Sequence, residues 1–191
     1  TPPVHSVLVV DDDVSLRPML ASWVNRFGFC AFEAASAETA LTQLETTPTD
    51  IALCDVNMPG HDGVWLAARI RERYPTTAVI MATSVDDADV AVATLSNDVV
   101  DYLLKPFDST RLREALALGL DWHRAHEGLS RLAKSRARLD WQEGRLLLHA
   151  LRSNAHLHLG FGSFGEYIER LMGHTRRVTE ERLRVAEHRR E

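Results

Sequence analysis

Four short apolar runs, each ending in a residue able to do chemistry, restrict the folds open to this chain more than any other feature. Val7-Leu8-Val9-Val10 runs into Asp11-Asp12-Asp13, and Ile51-Ala52-Leu53-Cys54 into Asp55. Ala78-Val79-Ile80-Met81-Ala82 runs into Thr83-Ser84, and Asp101-Tyr102-Leu103-Leu104 into Lys105-Pro106. Another short strand is expected over residues 29–34. Runs without polar alternation fit strands buried on both faces. Between them the apolar spacing turns helical. Leu16, Leu20, Trp23, Val24 and Phe27 share one helix face, with Pro18 in the first turn and Gly28 as C-cap. Ser36 caps a second helix through Leu44, with Glu38 in its first turn. Gly63 to Arg73 forms a third helix, residues 87–95 a weak fourth, and Asp108-Ser109 begins a fifth. Five strand–helix units of this kind require parallel strands joined by right-handed crossovers. The fold class is therefore α/β, with a five-stranded parallel sheet.

In open parallel sheets ligands bind beyond the carboxyl ends of the strands. Taken singly, Asp55 reads as a turn former ahead of Pro59-Gly60, and the other strand-end residues have equally plain explanations. Together they place Asp11, Asp12, Asp55, Thr83 and Lys105 on one rim. Carboxylates crowded there repel one another unless a cation sits among them. An all-oxygen donor set without His or Cys suits Mg²⁺ and argues against zinc. Lys105 supplies a compact positive charge and Thr83 a hydroxyl, which makes Asp55 a candidate nucleophile for phosphoryl transfer.

These residues carry a family resemblance. Val-Val-Asp-Asp, Cys-Asp-Val-Asn-Met-Pro-Gly-His-Asp-Gly, Met-Ala-Thr-Ser and Asp-Tyr-Leu-Leu-Lys-Pro-Phe make residues 5–121 resemble the response-regulator receiver domain of two-component signalling. The resemblance implies a flavodoxin-like (βα)5 sheet in the order 2-1-3-4-5, a phosphoacceptor at Asp55 and a sensor histidine kinase as phosphodonor. It implies Mg²⁺ held by Asp12, Asp55 and the carbonyl of Asn57, with Asp11 acting through water. Thr83 and Lys105 are expected on the phosphoryl group, Tyr102 as the switch aromatic, and a cis bond at Lys105–Pro106. Such a protein is a phosphorylated switch, not an enzyme. Where relatives often carry Gly-Ala, this chain has Asp98-Val99, so a left-handed turn at Asn97 or Asp98 is expected to close the fourth helix. Val85, two residues after Thr83, cannot orient an attacking water, which implies a long-lived phosphoryl group.

A composition of 45% hydrophobic and 26% charged residues describes a soluble globular protein, and no apolar run is long enough to span a membrane. With no signal peptide at the start, the chain is expected in the cytoplasm, with Cys30 and Cys54 as reduced core residues. It begins without Met, and the tail breaks off in helical character, so a piece of a longer protein is expected.

Charge separates the two parts. Residues 1–124 hold 18 Asp/Glu against 9 Lys/Arg, whereas 125–191 hold 9 against 13. From Leu118 a seam of fours and threes runs through Trp122, Ala125, Leu129, Leu132, Arg136, Leu139, Glu143, Leu146 and Ala150. It suggests that the fifth helix continues as a dimeric coiled coil, weakened by Gly119, Gly128, Gly144, Arg136 and Glu143. Homodimerisation through the fourth- and fifth-helix face and this linker is expected, with a helix packed back on its own receiver as the plain alternative. Gly160-Phe-Gly-Ser-Phe-Gly165 is a break, Ser163 and Glu166 form a capping box, and Gly173 ends a helix. A basic helix follows from Thr175 with Arg176, Arg177, Arg182, Arg184, Arg189 and Arg190. Helix, turn and basic helix suggest DNA binding. Polar Thr179 and Glu180, and the glutamates diluting the charge, fit it poorly. His156 and His158 read as ordinary histidines, not a metal pair. The expected domains are a receiver over 1–121, a helical linker over 122–159 and a helical output or partner-binding segment over 160–191.

Overall fold

The computed structural model describes residues 4–84 and 99–188, which divide into two compact units, 1–128 and 129–191. The expected helix over 87–95, Val85 and the turn at Asn97–Asp98 lie outside the described residues.

In the first unit five parallel strands, β1 (Ser6–Val10), β2 (Cys30–Ala34), β3 (Ile51–Asp55), β4 (Ala78–Thr83) and β5 (Asp101–Leu104), stand in the order β2-β1-β3-β4-β5. Strand alternation sends Leu8, Val10, Ala52, Cys54, Val79 and Met81 to one face. There they pack on Ala40 and Leu44 of α2 (Ala37–Thr46) and on Leu66 and Ile70 of α3 (Gly63–Arg73). Val7, Val9, Ile51, Leu53 and Ile80 point the other way, onto Leu20 and Val24 of α1 (Leu16–Arg26) and Leu112, Ala115 and Leu116 of α4 (Ser109–Arg152). The three central strands are buried on both faces, as apolar runs should be. β2 is not: it is the sheet's edge, and Cys30 at its start is exposed. The expectation of two core cysteines therefore holds only for Cys54.

Helices α1 to α4 begin where a side chain can take orphan N–H groups. Asp13 Oδ1 accepts from the N–H of Ser15 and Leu16 at 2.7 and 2.9 Å, which holds its carboxyl below the usual range. Ser36 and Thr39 form a reciprocal capping box on α2, Asp62 caps α3 through the Trp65 N–H, and Asp108 caps α4 through that of Arg111.

The amino ends of the strands are tied to α4 by a polar knot. Asp50, just before β3, accepts from the backbone N–H of Ser6 at 2.8 Å and faces His5 Nδ1 and His123 Nε2 at 3.1 Å each. His123, nearly buried, has its other ring nitrogen 2.6 Å from the carbonyl oxygen of Thr76.

α4 is one continuous helix through Gly119, Gly128 and Gly144. Gly119 lies against Ile51 and Ile80, where an added Cβ would sit 3.3 and 3.2 Å from their side chains, so this glycine allows close approach to the sheet.

In the second unit, which also holds α5 (Ala155–His158) and α6 (Phe164–Met172), the end of α4 packs on α7 (Arg176–His188), and Leu147, Leu148, Ile168 and Ala186 are buried. Gly144 permits this packing, because a Cβ there would lie 2.6 Å from the carbonyl oxygen of Arg182. Arg182 Nη1 meets Asp140 at 2.5 Å, and His174 Nδ1 meets Glu143 at 2.9 Å. Glu143 thus faces His174 and Arg182 of the tail. Leu129, Leu132, Leu139 and Leu146 stay exposed along the seam, Leu146 by 71%. Thr179 is buried, with its hydroxyl donating to the Thr175 carbonyl oxygen, so its polarity does not bar it from an interior face. The capping box at Ser163 is half formed. Ser163 caps the Glu166 N–H, but Glu166 Oε2 accepts from Gly162.

Candidate functional site

The rim assembles from chain segments that only the parallel sheet brings together. Asp11 and Asp12 follow β1, Asp55 ends β3, Thr83 ends β4 and Lys105 follows β5. Carboxylate oxygens of Asp11, Asp12 and Asp55 lie within 4.8 Å of one another. Lys105 Nζ bridges two of them, 2.9 Å from Asp11 Oδ2 and 3.0 Å from Asp55 Oδ1. Asp11 is buried and fully engaged, since its Oδ1 also accepts from the Asp13 N–H at 2.9 Å and its carbonyl oxygen from Arg17 at 2.7 Å. Asp12 is exposed, which leaves its carboxylate facing solvent at the mouth of the cluster.

Asp55 is 8% exposed. Burial pushes its carboxyl above the ordinary value; Lys105 pulls the other way, and the charge of Asp11 adds to the rise. Burial also works against the Lys105 ammonium, but its bonds to Asp11 and Asp55 outweigh that, and the net shift is upward. The site therefore favours the charged lysine and raises the Asp55 carboxyl above its ordinary value, with a cation already in place against it.

Thr83 is buried at its strand end, and its backbone carbonyl oxygen accepts from the Lys105 N–H at 2.7 Å, which couples the two positions. The Lys105–Pro106 bond is cis. Tyr102 is half-buried, packed against the helix α2–α3 side of the core, one strand residue from buried Leu103. Asn57 is exposed on the segment after β3, with its backbone N–H 3.4 Å from Asp55 Oδ1. Gly63 closes that segment. A Cβ there would lie 2.0 Å from the Asp55 carbonyl oxygen, so only glycine lets α3 start directly behind the acidic cluster. An apolar cleft of about 320 Å³ opens beside Lys105, lined by Leu16, Met19, Leu20, Pro106 and Phe107.

The rim residues were legible by type, but their supports were not. The contact of His61 with Glu38, 23 residues away, leaves no mark in spacing or composition.

A cluster of three carboxylates, two of them bridged by one lysine, sits at the carboxyl edge of a doubly covered parallel sheet, where such folds bind their ligands. The response regulator receiver domain model matches residues 7–117, more than half the chain, and the chain belongs to that family of two-component response regulators. The DNA-binding transcriptional regulator NtrC of Proteus hauseri is 40% identical over 113 residues, 59% of this chain and 23% of the relative. The transcriptional regulatory protein ZraR of Salmonella typhimurium is 35% identical over 114 residues, 60% of this chain and 26% of the relative. The crystallised receiver domain of NtrX from Brucella abortus matches with a TM-score of 0.58 at 26% identity, covering 60% of this chain and 98% of that one. The chain thus spans about a quarter of the length of the curated relatives it matches. No described helix is long and apolar enough to cross a membrane.

Proposed function

We propose that Asp55 accepts a phosphoryl group from the phosphohistidine of a sensor histidine kinase, and that the helical tail passes the change on. In the step itself an Asp55 carboxylate oxygen forms a bond to phosphorus as the bond from phosphorus to the donor imidazole nitrogen breaks. The observation that carries this reading is Lys105 Nζ, held 3.0 Å from Asp55 and 2.9 Å from Asp11. An ammonium in that place can follow negative charge from the resting carboxylate to a phosphoryl oxygen. Thr83 would donate its hydroxyl to another phosphoryl oxygen, and Tyr102, on the neighbouring strand, would repack as Thr83 moves.

The donor set fits Mg²⁺: three carboxylates close together, with no imidazole or thiolate among them. Asp12, Asp55 and the Asn57 carbonyl oxygen would hold the ion, and Asp11 would act through water. Bound there, Mg²⁺ would neutralise charge on the phosphoryl oxygens. Because Asp55 is itself the acceptor, the chain is a switch and not an enzyme. On this reading it works in the cytoplasm, where sensor kinases present their phosphohistidine.

The exposed leucines at 129, 132, 139 and 146 support a homodimer formed through the linker part of α4. DNA binding by residues 160–191 is the alternative, in keeping with the regulators that the chain resembles. One of its arginines is already engaged within the tail, Arg182 with Asp140. That favours partner contact over DNA as the tail's role.

Incubation with a small phosphodonor and Mg²⁺, followed by peptide mass spectrometry, tests the central claim. Labelling at Asp55 that Asp55→Asn abolishes is the expected result. Labelling elsewhere, or none, would overturn it.

A further inference from the structure

The segment between β3 and α3 is pinned at its apex by contacts that do not belong to the phosphoryl site. His61 Nδ1 lies 2.7 Å from Glu38 Oε1, in the first turn of α2. The carboxylate can only accept, so that ring nitrogen carries the hydrogen. The His61 ring also stacks on Trp65, in the first turn of α3, at 3.8 Å between centroids and 24° between planes. The Arg69 guanidinium covers Trp65 at 5.4 Å and is itself held by Glu72 at 2.8 Å. Gly60, at φ +83°, brings the backbone next to the same carboxylate, with an added Cβ only 3.8 Å from Glu38 Oε1.

One turn of chain below this apex lies Asn57, whose N–H faces Asp55. The foot of the segment is fixed separately, by Val56 N–H donating to Ala82 and Gly63 N–H donating to Val56. Between foot and apex only Met58 is buried. The residues that line the mouth of the acidic cluster thus lie between the foot contacts and the apex contacts of one short segment.

We propose that His61, clamped by Glu38 and Trp65, is a positioning residue for phosphoryl transfer, holding the 56–62 segment so that the Asn57 backbone stays beside the Asp55 carboxylate. The inference rests on the Asp55 reading above. A hydrogen-bonded pair half open to solvent adds little to folding stability, so the clamp's effect falls on local geometry. Outer-sphere partners that orient ligating groups typically contribute 10- to 100-fold to metal affinity, and a contact this exposed belongs at the low end, about tenfold.

The test is a calorimetric titration of the full chain with Mg²⁺ and beryllofluoride, a phosphoryl mimic. Thermal unfolding and amide exchange over residues 56–62 are measured alongside. His61→Ala and Glu38→Ala should each weaken binding about tenfold and speed exchange in the segment, with the unfolding midpoint unchanged. The double variant should be no worse than either single one. Glu38→Gln, whose amide oxygen still accepts the His61 N–H, should recover most of the loss. Wild-type affinity in both alanine variants would overturn the proposal, as would a loss that follows the unfolding midpoint. A wild-type chain that does not bind the mimic, or an Asp55→Asn chain that binds it equally well, would overturn the Asp55 reading and the clamp together. Normal wild-type binding with unaffected clamp variants would overturn the clamp alone.

Discussion

Gly63→Ala tests how tightly the helix behind the acidic cluster is seated. The new Cβ would lie 2.0 Å from the carbonyl oxygen of Asp55, 2.9 Å from its carbon and 3.0 Å from Met81 Cε. Real contacts of this kind stop near 3 Å, so about 1 Å of separation between two backbone segments is needed. Neither segment is free to give it. Asp55 is in register with Ala82 of β4, and Gly63 donates to the Val56 carbonyl oxygen at 2.9 Å. Overpacking of this sort costs about 1–3 kcal/mol, while alanine's better helix propensity returns about 0.5–1 kcal/mol. The net loss is on the order of 1–2 kcal/mol, or roughly 5 °C in midpoint for a domain of this size. Displacing the acceptor by a large part of an ångström should also weaken beryllofluoride binding by at least about tenfold, since a 1 Å error at a reacting group costs about a hundredfold. Gly128→Ala is the matched control. It sits in α4 with nothing near its would-be Cβ, so it should gain about 0.5–1 kcal/mol. Thermal melts and mimic titrations on both variants decide the matter. If Gly63→Ala melts at or above wild type and binds normally, the seating argument is wrong.

Asp55→Asn should raise the melting midpoint at pH 7. A carboxyl whose folded titration lies above its ordinary value of 3.8 stabilises the fold when protonated, and that contribution is lost as pH rises through the folded value. Asparagine has no such loss, so its advantage should shrink as the pH falls toward 3.8; a gap that widens toward acid would refute this. With an aromatic disulfide reagent, Cys30 should react in the native protein. Cys54 should stay silent until denaturant is added, because burial, and secondarily the charge of Asp55, push its thiol up to about 12. Gly144→Ala should loosen α7, whose Arg182 carbonyl oxygen would lie 2.6 Å from the new Cβ, at a cost of about 1–3 kcal/mol. Limited proteolysis should then cut within 164–188 sooner than in wild type.

The parallel sheet and the rim residues could be read from the chain because both depend on residue type and local order. Strand ends rich in Asp, Thr and Lys announce themselves, and helix starts at Ser36 and Asp108 follow local rules. What could not be read is set by position in three dimensions. Residues 29–34 read as a strand with Cys30 in the core, but strand order puts β2 at the margin and Cys30 in solvent. Gly119 and Gly144 look like flaws in a coiled-coil seam, yet one lets the helix approach Ile51 and Ile80 and the other lets α7 approach α4. Glu143 looks like a charge misplaced among leucines until His174 is found 2.9 Å away. The knot of His5, Asp50 and His123 joins residues far apart in the chain and carries no local signal.

The sheet also has two raw margins, and their form bears on how copies of the chain can associate. β2 is five residues long and β5 four, so a foreign strand would find few backbone groups to pair with on either side. Each margin also carries a charge tethered to a helix, Glu33 by Arg17 at 3.4 Å and Asp101 by Arg111 at 2.8 Å. A strand docking there would have to pass or displace these pairs. Ribbon-like growth of one sheet into the next is thereby discouraged, and self-association is left to helical surfaces.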